Sequence, residues 1–343
     1  MRNSLIIKSK LSDYHINFID SLNDIIQIVN QPNTILIIDK NVSILYPTIT
    51  SDNMLVIEST EQAKTLANCS YVLDHLTSHR ANILTKIVAV GGGVIQDLVG
   101  FCASIYCRGI EYILVPTTLL AQVDSCIGGK TSINYGNRKN ILGTFYPPSS
   151  ILIYSGFLNS LSKLDYISGL GEVYKFHILQ GNINSFDPYG PINDMIYNGL
   201  EYKSNILLLD EFDKKERKYL NYGHTFGHAL ESVSDHKIPH GIAVIIGCLI
   251  ATNIALELGY EVNDYDVILD TAILLLRDSE INLEKKWFNS ETILDIVKSD
   301  KKSNGNLVMV LVKENQPRLE IIENITIIYN ILNNTYESIR LRN

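Results

Sequence analysis

Short apolar runs alternate with helix-compatible segments over the first 150 residues. TILIID (34–39), NMLVIE (53–58), KIVAV (86–90) and EYILVP (111–116) have strand length and strand composition. KIVAV runs straight into Gly91, Gly92 and Gly93, and VIQDLVGFCASIYCR then has helical spacing and stops at Gly109. Alternation of this kind predicts a mainly parallel sheet with helices on both faces. FYPPSS (145–150) interrupts the pattern and reads as a hinge before ILIY. From about Tyr166 to Leu275 the period is mostly helical, and NLVMVLV (306–312) reads as a late hairpin strand. The expectation is an α/β domain over residues 1–155 followed by a mainly α-helical domain over 156–343.

Composition narrows this picture. A chain of 343 residues exceeds what one hydrophobic core usually fills. With 46% hydrophobic and 19% charged residues it is a packed protein. A net charge of -8 argues against nucleic acid and membrane surfaces as partners, though not against a small basic pocket for an anionic metabolite. Five cysteines without a CxxC argue for reduced thiols in a cytoplasmic protein, not a disulfide framework or structural zinc site. Lys8 and Lys10 break the N-terminal apolar run, unlike a signal peptide. GIAVIIGCLIATNIAL (241–256) is shorter than the ~20 residues of a membrane span and reads as a buried helix.

Candidate chemistry sits in three places. The Gly91–Gly93 turn joins a strand to a helix, where backbone amides attract phosphate, although a tight connection has the same sequence. It is not GxGxxG; Asp39, at the end of an early strand, suits a ribose-hydroxyl acceptor. Second, with Glu216 to Glu231 on one helix, Arg217, Asn221, His224 and His228 form a polar stripe spaced four, three and four. Gly223 and Gly227 in such a helix imply that something approaches the backbone closely. His224 and His228 can share a metal but need not both be ligands; His240, after Pro239, can return to the same cavity, and Glu172 is the best carboxylate to complete the set. Lys175 shares the face of Glu172. Third, DSCIGGKTSINYGNRKN (124–140) and KSDKKSNG (298–305) read as solvated loops when taken alone. Yet Arg108, Lys130, Lys203, Arg217 and Lys302 suit a substrate carrying phosphate and carboxylate.

GGGVIQDLVGF, RGIEYILVPTTLLAQVDSCIGGKT, KNILGTFYPP, SGLGEVYK and NYGHTFGHALE, in this order, resemble the 3-dehydroquinate synthase family within the wider sugar-phosphate cyclases, from about Asp39 to Lys302. The resemblance implies a Rossmann-like NAD-binding N-terminal domain and a helical C-terminal metal- and substrate-binding domain. It implies zinc or cobalt held by Glu172, His224 and His240, with His228 facing the substrate. It assigns NAD contacts to Asp39, Asn41, Glu61, Lys64, Gly92, Gly93, Asp97, Thr117, Thr118, Phe157 and Ser160. Substrate contacts fall on Asp124, Lys130, Lys139, Asn140, Lys175, Lys203, Arg217, Asn221, His228 and Lys302, with Arg108 reaching a neighbouring subunit's phosphate site in a homodimer. The implied reaction converts 3-deoxy-D-arabino-heptulosonate 7-phosphate to 3-dehydroquinate. The chain departs from the family at Ile242 (HGIAV for HGEAV), at Gly171 (SGLGE for SGLAE), in LSKLD for LPxRE, and in a short 176–202 segment. Those departures keep open a sister cyclase such as an aminodehydroquinate synthase. A metal-dependent polyol dehydrogenase is a further alternative, disfavoured by the lysine-rich set.

Overall fold

A computed structural model describes residues 4–136, 138–300 and 307–342. The chain divides into two units, Met1–Leu161 with Ile192–Phe212, and Ser162–Pro191 with Asp213–Asn343. In the first, β1 (Ser4–Ile7) pairs antiparallel with β2 (Tyr14–Phe18). Parallel to β2 and to one another run β3 (Thr34–Asp39), β4 (Met54–Ile57), β5 (Lys86–Gly91) and β6 (Glu111–Pro116). A separate antiparallel hairpin, β7 (Lys130–Tyr135) and β8 (Arg138–Phe145), follows, and then β9 (Ser150–Ile153), which completes the parallel set. The sheet order is β1-β2-β9-β6-β5-β3-β4. The four apolar runs that read as strands are β3 to β6. Every residue of β3 is buried, which is why its sequence shows no polar alternation. The chain passes from β3 outward to β4 and returns on the other side at β5, so the order reverses between β3 and β5. In open α/β sheets, ligands bind at the carboxyl ends of the strands beside such a reversal.

The helices of this unit are α1 (Leu22–Val29), α2 (Lys40–Leu45), α3 (Leu66–Ser78), α4 (Gly93–Ile105) and, from later in the chain, α6 (Ile192–Leu209). A single break at 155/156 does not describe this division. The chain leaves the first unit after Leu161 and comes back to it with α6. This helix buries Met195, Ile196, Leu200, Ile206 and Leu207, and polar contacts add to that. Lys203 Nζ donates to the Asp124 carbonyl at 2.6 Å and pairs with its carboxylate at 3.0 Å. Just beyond α6, the buried Glu211 carboxylate accepts from Ser9 Oγ and, at 2.7 Å, from Lys10 N. FYPPSS is no hinge between the units either; it links β8 to β9 inside the first.

The second unit holds α5 (Lys163–Leu179), α7 (His224–Val233), α8 (His240–Glu257), α9 (Tyr265–Asp278), α10 (Ser290–Asp300) and α11 (Thr326–Arg342). It also holds the hairpin β10 (Leu307–Lys313) and β11 (Gln316–Ile322). The uncharged 241–256 run is α8, apolar on all sides because α5, α7, α9, α11 and β10 surround it. Helix α5 crosses α8 with almost no side chain between them. A Cβ on Gly171 would lie 2.3 Å from the Gly241 carbonyl oxygen, and one on Gly241 would lie 1.7 Å from that of Ser168. Gly171, one of the departures from the family pattern, is thereby accounted for.

Candidate active site

The expected single helix over Glu216–Glu231 is broken. Glu216–Asn221 is a 3-10 turn, and α7 begins only at His224, capped by Gly223 with φ +78°. A Cβ on Gly223 would also meet Cys248 Sγ at 2.6 Å, so the close approach implied by this glycine is that of α8. Glu172 lies in mid-α5, one residue after the close crossing, and His240 is the first residue of α8, one residue before it. The crossing, together with α7, brings Glu172, His224 and His240 together. Their ligand atoms all lie within 4.8 Å of one another.

The tautomers of both histidines are set by their outer partners. His224 Nδ1 is 3.1 Å from the Tyr222 carbonyl, and His240 Nδ1 is 3.1 Å from Glu231 Oε2. Both partners can only accept, so each Nδ1 carries the proton. The two Nε2 atoms face Glu172 Oε1 at 3.5 and 3.3 Å. Glu172 is fully buried, and neither oxygen has a well-formed hydrogen bond, although Lys175 Nζ is in ion-pair contact with Oε2. A buried carboxylate in that state calls for a cation. Two imidazoles and one carboxylate are the donor set of an open catalytic metal site, and these residues fit one.

Electrostatics agree. Burial opposes charge on Glu172, yet the Lys175 ammonium and the neighbouring His240 and His224 imidazoles hold its carboxyl well below the usual range. Burial and the Lys175 ammonium push His224 well below the ordinary imidazole value, leaving it neutral. For His240 burial again opposes charge, but the facing Glu172 and Glu231 carboxylates push it up to about 10 in the ion-free protein. His228 is exposed, its ring centroid 5.2 Å from that of His224 and 5.7 Å from that of His240. Arg217 is buried and Asn221 exposed on the 3-10 turn before α7.

In the first unit, Asp39 and the Gly91–Gly93 turn lie at the carboxyl ends of β3 and β5, beside the reversal of strand order. Asp39 Oδ1 accepts from Val42 N at 3.0 Å, capping α2, on which Asn41 is exposed. Gly92 is the N-cap of α4 and Gly93 its first residue; no side chain caps that helix. Thr117 N donates to the Gly91 carbonyl at 3.2 Å, and Thr118 Oγ1 accepts from Ala121 N at 3.2 Å. Lys64, almost fully buried, joins Asp97 Oδ2 at 2.6 Å, Asn140 Oδ1 at 2.5 Å and, more loosely, Glu61 Oε1 at 3.8 Å. Burial raises Asp97 despite that ammonium. Phe157 is a core residue packed on Tyr46, whose hydroxyl meets Ser160 Oγ at 2.8 Å.

Asp124 pairs with Lys203, and Lys130 and Lys139 are exposed on β7 and β8. Arg108 is exposed just past α4 with φ +65°, and Lys302 lies outside the described residues. The 124–140 stretch that reads as a loop is largely hairpin. Ser132 and Asn134, which carry no signal of their own in the sequence, hold Asn140 through Ser132 Oγ at 2.9 Å and Asn134 Oδ1 at 2.8 Å. Glu231 continues the stripe by one more step of three, the one sequence signal it carries.

An α/β unit with a phosphate-ready turn and a helical unit with an ion-ready donor set make up the dehydroquinate-synthase-like fold of the sugar-phosphate cyclases. 2-Deoxy-scyllo-inosose synthase, solved with carbaglucose-6-phosphate, NAD+ and Co2+, shares this fold at TM-score 0.81 and 24% identity, covering 97% of this chain and 99% of that one. The 2-epi-5-epi-valiolone synthase ValA of Streptomyces hygroscopicus subsp. jinggangensis 5008, solved with NAD+ and Zn2+, does so at TM-score 0.78 and 22% identity, covering 98% and 99%. Family models for the 3-dehydroquinate synthase N-terminal and C-terminal regions match residues 54–168 and 169–303. The 3-dehydroquinate synthase of Alkaliphilus oremlandii (strain OhILAs) is 36% identical over 283 residues, 79% of this chain and 77% of that protein. The chain belongs to the 3-dehydroquinate synthase family.

Proposed function

We propose that the chain converts 3-deoxy-D-arabino-heptulosonate 7-phosphate to 3-dehydroquinate and phosphate, a step of the shikimate pathway, with NAD and a zinc or cobalt ion. The observation that carries this reading is the buried Glu172 carboxylate facing two imidazole Nε2 atoms. Glu172, His224 and His240 hold the ion, which when bound supplies Lewis-acid polarisation of substrate hydroxyl oxygens. NAD, when bound, would supply a reversible hydride acceptor for carbon 5 and so would not be consumed. The Gly92–Gly93 turn and the amino end of α4 take the pyrophosphate, and Asp39 takes a ribose hydroxyl. Glu61, Lys64, Asp97, Asn41, Thr117, Thr118 and Ser160 line the same cofactor, with Phe157 packing beneath.

Lys175 and Lys203 are poised by carboxylates, Glu172 and Asp124, and donate hydrogen bonds to the substrate. His228, exposed beside both ligand imidazoles, relays protons through water. Arg217 and Lys130 bind the substrate carboxylate; Asn221, Asp124, Lys139, Asn140 and Lys302 complete its contacts. The protein acts as a cytoplasmic homodimer, in which Arg108 serves the neighbouring subunit's phosphate site.

The test is incubation with the heptulosonate phosphate, catalytic NAD and zinc. The expected result is phosphate released in step with a product of dehydroquinate mass, without accumulation of NADH. NADH formed stoichiometrically without phosphate release would make the protein a polyol dehydrogenase instead.

A further inference from the structure

The two candidate ligand histidines are oriented by different means. His224 Nδ1 is held by a backbone carbonyl, which no substitution removes. His240 Nδ1 is held by a side chain, Glu231 Oε2, at 3.1 Å. Glu231 lies on α7, seven residues after His224 and so on the same face of the helix. Its carboxylate is mostly buried, at 17% side-chain exposure, beside an imidazole of which 30% is exposed. His240 begins α8 directly after Pro239, and the hydrogen bond from Gly241 N to Ser168 Oγ at 3.0 Å holds the backbone of this helix start, not the His240 ring.

We propose that Glu231 is a positioning residue that locks His240 in the Nδ1–H tautomer and turns Nε2 toward the ion. This rests on the reading of Glu172, His224 and His240 as the ligand set. A carboxylate accepting from the far nitrogen of a ligand imidazole fixes the ring and raises its basicity. His228, Glu231 and His240 also bring ligand atoms within 4.8 Å of one another. A second ion there would need His240 Nδ1 stripped of its proton. The 3.1 Å contact instead matches a proton donated to an oxygen that can only accept.

The test is a Co2+ titration of chelator-stripped protein, read by the visible d–d absorption, for wild type, Glu231→Ala, Glu231→Gln and Glu172→Gln. Wild type is expected to take about one ion per chain. Glu231→Ala should raise the Co2+ Kd by about 10- to 100-fold, the usual loss for an outer-shell partner, and shift the d–d band, with the far-ultraviolet dichroism of the stripped protein unchanged. Glu231→Gln, whose amide oxygen still accepts from Nδ1–H, should fall between the two, and it carries the test if the alanine variant does not fold. An unchanged Kd and spectrum in Glu231→Ala would overturn the proposal. So would two ions in wild type with one lost in Glu231→Ala, because Glu231 would then be a ligand. If Glu172→Gln binds Co2+ like wild type, the ligand reading itself fails, and the proposal with it.

Discussion

Glu172→Gln keeps the volume of a fully buried side chain and removes its charge. Lys175, 1% exposed, then has no carboxylate partner at this position. Breaking such a pair from one side costs about 3–5 kcal/mol, to be seen in denaturant unfolding of the metal-free protein, and phosphate release should fall to background. The imidazoles give the pH dependence. In the metal-free chain His240 is raised to about 10, so the stability it contributes is complete below the ordinary imidazole range and fades as pH climbs toward 10. His224 is depressed and already neutral. The ion must therefore displace the His240 proton alone. Co2+ affinity should rise with pH from mildly acid to neutral solution, with about one proton released per ion, as measured by calorimetry in buffers of different ionisation enthalpy. The His224–His240 part of the cluster is legible in the sequence because histidines are scarce and these fall close together, and Glu172 because it stands in an otherwise small and apolar helical stretch. Glu231 is not, since a glutamate on a helix is ordinarily solvated and only the fold shows what it touches.

At the scale of elements, β3, β5 and β6 are legible because burial on both faces leaves nearly uninterrupted apolar runs, and the edge strand β4, with Val56 exposed, because its composition is apolar throughout. The hairpin β7–β8 is not, because in KTSINY only Thr131 and Ile133 are buried and the partner strand has no buried residue. The polar stripe was found by assuming one helix, yet the chain turns sharply at Gly223, where a left-handed backbone permits α7 to start on the surface of α8. The same tight packing makes the α5–α8 crossing sensitive. Gly171→Ala places a methyl 2.3 Å from a backbone oxygen. Overpacking of this kind costs about 1–3 kcal/mol. A lower melting temperature and weaker Co2+ binding are expected together, since Glu172 and His240 flank the contact.

At the scale of the molecule, the proposed cofactor and metal functions fall in different units, which makes their disturbances separable. Lys64→Met would strip the ammonium from Asp97 and leave that carboxylate close to the proposed pyrophosphate turn. NAD should then bind about tenfold more weakly, a loss of about 1.4 kcal/mol, while the Co2+ titration stays as in wild type. A loss of both would show that the two are not independent. What no local pattern could reveal is the return of α6 to the first unit. That return is fixed in part by Lys203 meeting Asp124 and Glu211 meeting Ser9 and Lys10, across 79, 202 and 201 residues.

The chain thus passes from one unit to the other at 161/162, 191/192 and 212/213. A protease that nicked one of these crossings would leave the halves covalently tethered through the remaining two. A gene cut at residue 161 would yield an amino-terminal fragment missing one of its own helices and the partners of Ser9, Lys10 and Asp124. The boundary between the halves is therefore a poor place for splitting, swapping or circularly permuting this protein, however neatly it divides the sequence on paper.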